Sequence, residues 1–178
     1  MSEKLKLATV WLDGCSGCHM SFLDIDERLL DVLSLADLVY SPLVDNKDFP
    51  EMVDVTLIEG AVSSTEDWEK IRKVRAHTKV LVSLGDCAVT ANVPGMRNRF
   101  NVETVLYRAY FENANLNKQI PLDVVPPLRP QSIPVHQVVP VDLFIPGCPP
   151  SADTIFYAVS ELLAGRMPEL RTKTHFGA

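Results

Sequence analysis

No stretch of the chain approaches the roughly 20 consecutive apolar residues needed to cross a bilayer. Val53 to Ile58 and Val80 to Leu84 are far shorter. A basic surplus is missing too, with 17 Lys and Arg against 23 Asp and Glu and a net charge of -6. That leaves little with which to neutralise nucleic-acid phosphates or coat an anionic membrane, so neither is expected as a partner. Met1-Ser2-Glu3-Lys4-Leu5-Lys6 has no signal-peptide core and no twin arginine, and a cytoplasmic location is expected. No internal repeat of fixed period is present. Cysteine is scarce, with four in 178 residues. In a reducing cytoplasm such thiols point to metal or redox chemistry in preference to disulfides.

What is present is a recurring alternation. Leu5 to Leu12 is an apolar, strand-like run that stops at the turn formers Asp13-Gly14. Apolar residues at helical spacing then predict a helix from about Ser21 to Leu33, starting just after Cys18. Asp54 to Ile58 reads as a strand, Glu59 to Val62 as its exit loop, and Ser64 to His77 as a helix capped by Ser64 or Thr65. Lys79 to Leu84 and Val141 to Ile145 are further strands, with a helix after the last from Ser151 to Leu163. Asp37 to Val44 supplies one more strand. Strands alternating with helices imply parallel pairing, so the expected fold is α/β, a flavodoxin-like doubly wound parallel sheet. The whole of residues 1–178 is expected to form a single domain. Six prolines between Ile120 and Pro140 predict an extended Pro-rich arm at about 120–140, whose valines and isoleucines need cover.

The cysteines follow strands. Cys15 and Cys18 come after the first, Cys87 after Lys79 to Leu84, and Cys148 after Val141 to Ile145. In a parallel sheet the carboxyl ends share one edge, where ligands bind, so four thiols distant in sequence are expected to meet. Four convergent thiolates suit a 4Fe-4S cluster, each iron taking one protein sulfur. Three other readings stay open: buried small hydrophobes, a zinc site, and a thioredoxin-like dithiol at Cys15-Ser16-Gly17-Cys18, which would leave Cys87 and Cys148 without a role. Gly14, Gly17, Gly85 and Gly147 flank the cysteines, as close backbone passage and N–H donation to cluster sulfides would require.

At these residues the chain resembles the small subunit of nickel-iron hydrogenases. Cys15-Ser16-Gly17-Cys18 matches that family's C-x-G-C, Glu59-Gly60 its E-G, Gly85-Asp86-Cys87 its G-x-C, and Gly147-Cys148-Pro149-Pro150 its G-C-P-P. The cluster subunit of respiratory complex I resembles the last motif too, but carries adjacent cysteines in place of C-x-x-C. The resemblance implies one 4Fe-4S cluster on Cys15, Cys18, Cys87 and Cys148, and a nickel-iron centre on a separate large subunit. This chain has no second C-x-x-C to hold such a centre. A short, leaderless small subunit resembles the cytoplasmic bidirectional, NAD-reducing type, whose flavin, further clusters and NAD site belong to diaphorase subunits. Coenzyme F420-reducing hydrogenase and complex-I-like subunits are the neighbouring alternatives, and a thiol-disulfide oxidoreductase the alternative of another class.

Many relatives carry glutamate two positions after the second cysteine, where this chain has Met20. Glu59 then remains as the carboxylate at the cluster edge. Burial there is expected to raise its pKa and suit it to a proton relay; the competing assignment is an acid bonded to backbone. His19 is expected to donate to a cluster sulfur or to face solvent. His77, His136 and His175 lie away from the cysteine loops and receive no role.

Overall fold

The computed structural model describes residues 4–176. Its centre is a sheet of five strands: β1 (Leu5–Trp11), β2 (Ala36–Tyr40), β3 (Val53–Glu59), β5 (Thr78–Leu84) and β7 (Leu143–Ile145). They lie in the order β2-β1-β3-β5-β7, and every neighbouring pair is parallel. This is the doubly wound, flavodoxin-like arrangement expected from the alternation.

Each inner strand buries both faces. In β3, Val55 and Leu57 join Leu7, Val82, Leu84 and Ile145 on one side, and Ile58 joins Val10 and Leu81 on the other. The first side is covered by helices α1 (Gly17–Leu23), α2 (Leu29–Leu35) and α7 (Ala152–Leu163) through Phe22, Val32, Ile155 and Val159. The second is covered by α3 (Thr65–Ala76) through Ile71 and Val74, and by Val135 and Val139. Short helices α4 (Asp86–Thr90), α5 (Asn92–Gly95) and α6 (Val102–Tyr107) follow β5.

Three local expectations are corrected. The helix predicted to begin at about Ser21 begins at Gly17, so Cys18 and His19 occupy its first turn. Nor does it run on to Leu33: Asp26 has φ +56, outside the right-handed helical region, and the chain passes through a 3-10 turn at Asp26–Arg28 before α2. The break lets Phe22, Ile25 and Val32 all reach the core, while Leu30 and Leu33 stay exposed. The strand expected over Asp37 to Val44 spans Ala36–Tyr40 and gives way to a turn at Pro42 and Leu43.

The Pro-rich arm is not wholly a loop. Val62–Ser64, expected to lie at the end of an exit loop and the start of a helix, forms strand β4 and pairs antiparallel with β6 (Leu128–Ile133), which contains Pro130. A ribbon of two strands has a free edge on each, and such an edge tolerates a residue with no N–H to donate. Val135 and Val139 are buried against the chain's own core, whereas Leu122 and Val124 remain bare.

The cap of α3 is as expected. The Ser64 hydroxyl accepts from Asp67 N–H at 3.0 Å, and the Asp67 carboxylate accepts from Ser64 N–H at 2.9 Å, a reciprocal capping box. Ser64→Ala should cost about 0.5–2 kcal/mol in chemical denaturation. A wild-type midpoint would show that the box contributes nothing.

Candidate iron-sulfur site

Register aligns the site. Trp11 pairs with Glu59, Glu59 with Leu84, and Leu84 with Ile145, so the last residues of four strands form one row. Cys15, Cys87 and Cys148 lie three or four residues beyond that row, and Cys18 lies in the helix that follows Cys15. All four are free thiols; Cys15 and Cys148 are exposed, Cys18 and Cys87 buried.

Hydrogen bonds tie the three cysteine-bearing segments together. Asp86 N–H donates to the Gly147 carbonyl at 2.9 Å, and the Asp86 carboxylate accepts from Gly147 N–H at 2.7 Å. Ser21 on α1 donates to the Pro150 carbonyl. At Gly85, φ is +80 and a Cβ would collide with Cys18 Sγ, so close approach requires glycine there. The N–H groups of Gly85 and Gly147 are taken by Ile145 and Asp86, which corrects the expectation that both would serve cluster sulfides. Asn92 Nδ2 instead donates to Cys148 Sγ at 3.5 Å.

Glu59 is the last residue of β3, 2% exposed, and enclosed by donors. Its carboxylate accepts from Cys18 N–H at 3.3 Å, His19 N–H at 2.9 Å and Trp11 Nε1 at 3.1 Å, and also meets His19 Nδ1. Burial pushes its pKa up, but the His19 bond and charge and the backbone donors outweigh that, holding it below the ordinary 4.5. The expected rise is therefore corrected: desolvation is present, and hydrogen bonding to the charged form wins. His19, 2% exposed, faces neither solvent nor a cysteine sulfur, but Glu59 and Thr9.

Burial, then the Glu59 carboxylate and the other three cysteines, push the Cys18 thiol far up. Cys87 is raised chiefly by burial and further by Cys15 and Cys148, against a backbone bond from Val93. Cys18 and Cys87 therefore need compensating positive charge to ionise, which iron would supply. Among the described residues no three His, Cys, Asp or Glu side chains converge as a single metal ion requires. A cluster does not ask this, since each thiolate takes a different iron. The donor set therefore fits a 4Fe-4S group better than zinc. A reactive dithiol would use Cys15 and Cys18 alone and leave Cys87 and Cys148, free thiols after neighbouring strands, without a role.

The profile of the NADH ubiquinone oxidoreductase 20 Kd subunit family matches residues 15–162, a stretch that holds all four cysteines. The chain belongs to that family. It is 42% identical to the delta subunit of the NAD-reducing hydrogenase HoxS of Cupriavidus necator, over 92% of this chain and 80% of that protein. It is 38% identical to a subunit of the F420-non-reducing hydrogenase vhu of Methanocaldococcus jannaschii, over 95% of this chain and 59% of that protein. The chain thus spans less than two thirds of the latter's length. A crystal structure of an NAD+-reducing [NiFe]-hydrogenase in the H2-reduced state contains a similar chain: TM-score 0.93, 37% identity, 99% of this chain and 100% of that one. The resemblance read from the motifs holds, as does the fold.

Sequence reasoning missed Thr9, Ser21, Ser41 and Asn92, and gave Asp86 no role of its own. Thr9 left a trace: it is a polar residue inside an apolar strand, 1% exposed.

The sign of the Glu59 contribution is fixed by its lowered pKa. It is fully present above the unfolded value near 4.5 and is lost as pH falls through the lower folded value. Glu59→Gln should cost the metal-free chain about 1–3 kcal/mol at neutral pH. In urea titrations below pH 4.5 the gap from wild type should narrow. A gap that stays constant into acid would contradict this account.

Proposed function

We propose that this chain is the small, electron-relaying subunit of a nickel-iron hydrogenase, holding one 4Fe-4S cluster through Cys15, Cys18, Cys87 and Cys148. The complex would oxidise hydrogen reversibly, with the nickel-iron centre on a large subunit and a diaphorase module reducing NAD. The observation that carries this reading is the register row Trp11, Glu59, Leu84, Ile145, which brings four free thiols from the exits of three strands to one sheet edge. The likeness to NAD-reducing hydrogenase chains supports the acceptor.

When bound, a 4Fe-4S cluster supplies one-electron transfer. The chain's own residues do the holding. Cys18 and Cys87, buried beside Gly85, would grip from the protein side, and Cys15 and Cys148 from the exposed rim. Asn92 donates toward the Cys148 sulfur, where a hydrogen bond stabilises negative charge and tunes the potential. Glu59 anchors the cysteine helix. A carboxylate held ionised by four donors is a poor proton shuttle, so this assignment replaces the relay.

An apolar groove between α6 and the arm, lined by Val102, Leu106, Tyr110, Leu122 and Val125, supports a protein partner. Leu122 is 83% exposed and Val124 fully so, more apolar surface than an unpartnered segment needs. Among the described residues no helix is long and apolar enough to cross a membrane.

Anaerobic reconstitution of the chain should yield about four irons and four sulfides per chain, because each thiolate takes one iron. Cys87→Ser or Cys148→Ser should lower that content. Zinc in place of iron in native material, or full iron retention in Cys148→Ser, would sink the proposal. Anaerobic co-purification should also recover a nickel-iron subunit with hydrogen-dependent NAD reduction.

A further inference from the structure

The first turn of α1 carries Cys18, yet it lacks an ordinary helix cap. Ser16 stands at the cap position with φ +69 and makes no side-chain cap bond, and the turn contains no acidic residue. The N–H groups at the second and third helical positions, Cys18 and His19, are among those a helix leaves without internal partners. A carboxylate from another element takes both: Glu59, 40 residues away at the end of β3.

What holds Glu59 in that position runs deeper into the molecule. His19 Nδ1 meets the Glu59 carboxylate, and His19 Nε2 lies 2.9 Å from Thr9 Oγ1. The Thr9 hydroxyl donates to Ser41 Oγ at 2.8 Å, and Ser41 Oγ also accepts from Leu43 N–H at 3.2 Å. A threonine hydroxyl has one proton to give. With that proton on Ser41, Thr9 is an acceptor toward His19, and both ring nitrogens face acceptors. Glu59, His19, Thr9 and Ser41 are each at most 2% exposed, so water cannot replace a missing member. The chain of bonds crosses from β2's end, through β1, to the cysteine helix.

We propose that Thr9 and Ser41 are positioning residues of the cysteine site. Through His19 and Glu59 they fix the N–H groups of Cys18 and His19, and so the orientation in which Cys18 meets the cluster. Neither residue touches a cysteine in any bond described above, and neither belongs to the motifs that signal the family. The inference rests on the cluster reading, and its test separates the two.

Thr9→Val keeps the shape of the side chain and removes the hydroxyl; Thr9→Ser keeps the hydroxyl. In the full chain, reconstituted anaerobically, Thr9→Val should still take up iron and sulfide. Its reduced cluster should show an altered electron paramagnetic resonance line shape and a shifted midpoint potential, and should lose iron severalfold faster to a chelator. Thr9→Ser should restore all three. In the metal-free chain, the amide protons of Cys18 and His19 should exchange severalfold faster in Thr9→Val. Wild-type spectrum, potential, iron loss and exchange in Thr9→Val would overturn the proposal, as would a defect that Thr9→Ser fails to repair. Should Thr9→Val not fold, Ser41→Ala decides: a smaller change in the same direction supports the role, and wild-type behaviour ends it. A wild-type chain that takes up no iron would instead overturn the cluster reading, while the amide exchange would still report on the hydrogen-bonded chain.

Discussion

A carboxylate shut away from water must be matched donor for donor, and Glu59 is matched by groups from two other elements, Trp11 on β1 and Cys18 with His19 on α1. The match works in both directions. Without the donors, Glu59 would be too costly to bury in ionised form; without Glu59, the first turn of α1 would be left with open N–H groups beside a cysteine. Strand and helix are therefore placed relative to one another by one acid. Gly60, immediately after it, has φ +93, and a Cβ there would lie 2.7 Å from the Asp13 carbonyl oxygen. The close approach of the two exit loops, seen in the Asp13 and Ala61 backbone bonds, thus depends on glycine at that point.

The cysteine edge rests on the same economy of charge. Burial raises Cys18 and Cys87, and the negative forms of Cys15 and Cys148 raise both further. On the proposed reading, iron binding at Cys18 and Cys87 would have to displace their protons, which would couple cluster assembly to proton release. The Asp86 carboxylate accepts from Gly147 N–H and ties the start of α4, which carries Cys87, to the Cys148 loop in advance. On the proposed reading, less ordering would then be left to be done on cluster insertion.

Much of this was legible in the sequence wherever a signal is local. The apolar run at Leu5 to Leu12 and the capping residues around Ser64 lie where expected, because strand burial and helix capping act within a few residues. Parallel order then carried the cysteines to one edge. What escaped was long-range. The pairing of Val62 with Ile133 and of Ser64 with Leu128 spans more than sixty positions, and prolines disguised β6 as a loop. Glu59 was located correctly, but the direction of its pKa depends on partners from β1 and α1 that no periodicity announces. Ser41 lies 32 positions from Thr9, and only the side-by-side placement of β1 and β2 joins them.

Exposure divides the four thiols into two pairs, and on the proposed reading this division has a consequence. Cys18 and Cys87 are buried and form the floor, Cys18 backed by the hydrogen-bonded acid and the packed face of the sheet; Cys15 and Cys148 are exposed and form the rim. At the end of β1 Trp11 is 37% exposed, and on the cysteine helix Met20 is 57% exposed. Solvent access and the surrounding dielectric set the potential of a bound cluster as strongly as its ligands do. The floor fixes half of that environment within this chain, and the rim leaves the other half to whatever covers it. A relay built this way is completed by assembly: its driving force belongs to the interface, and the chain by itself specifies position more fully than potential.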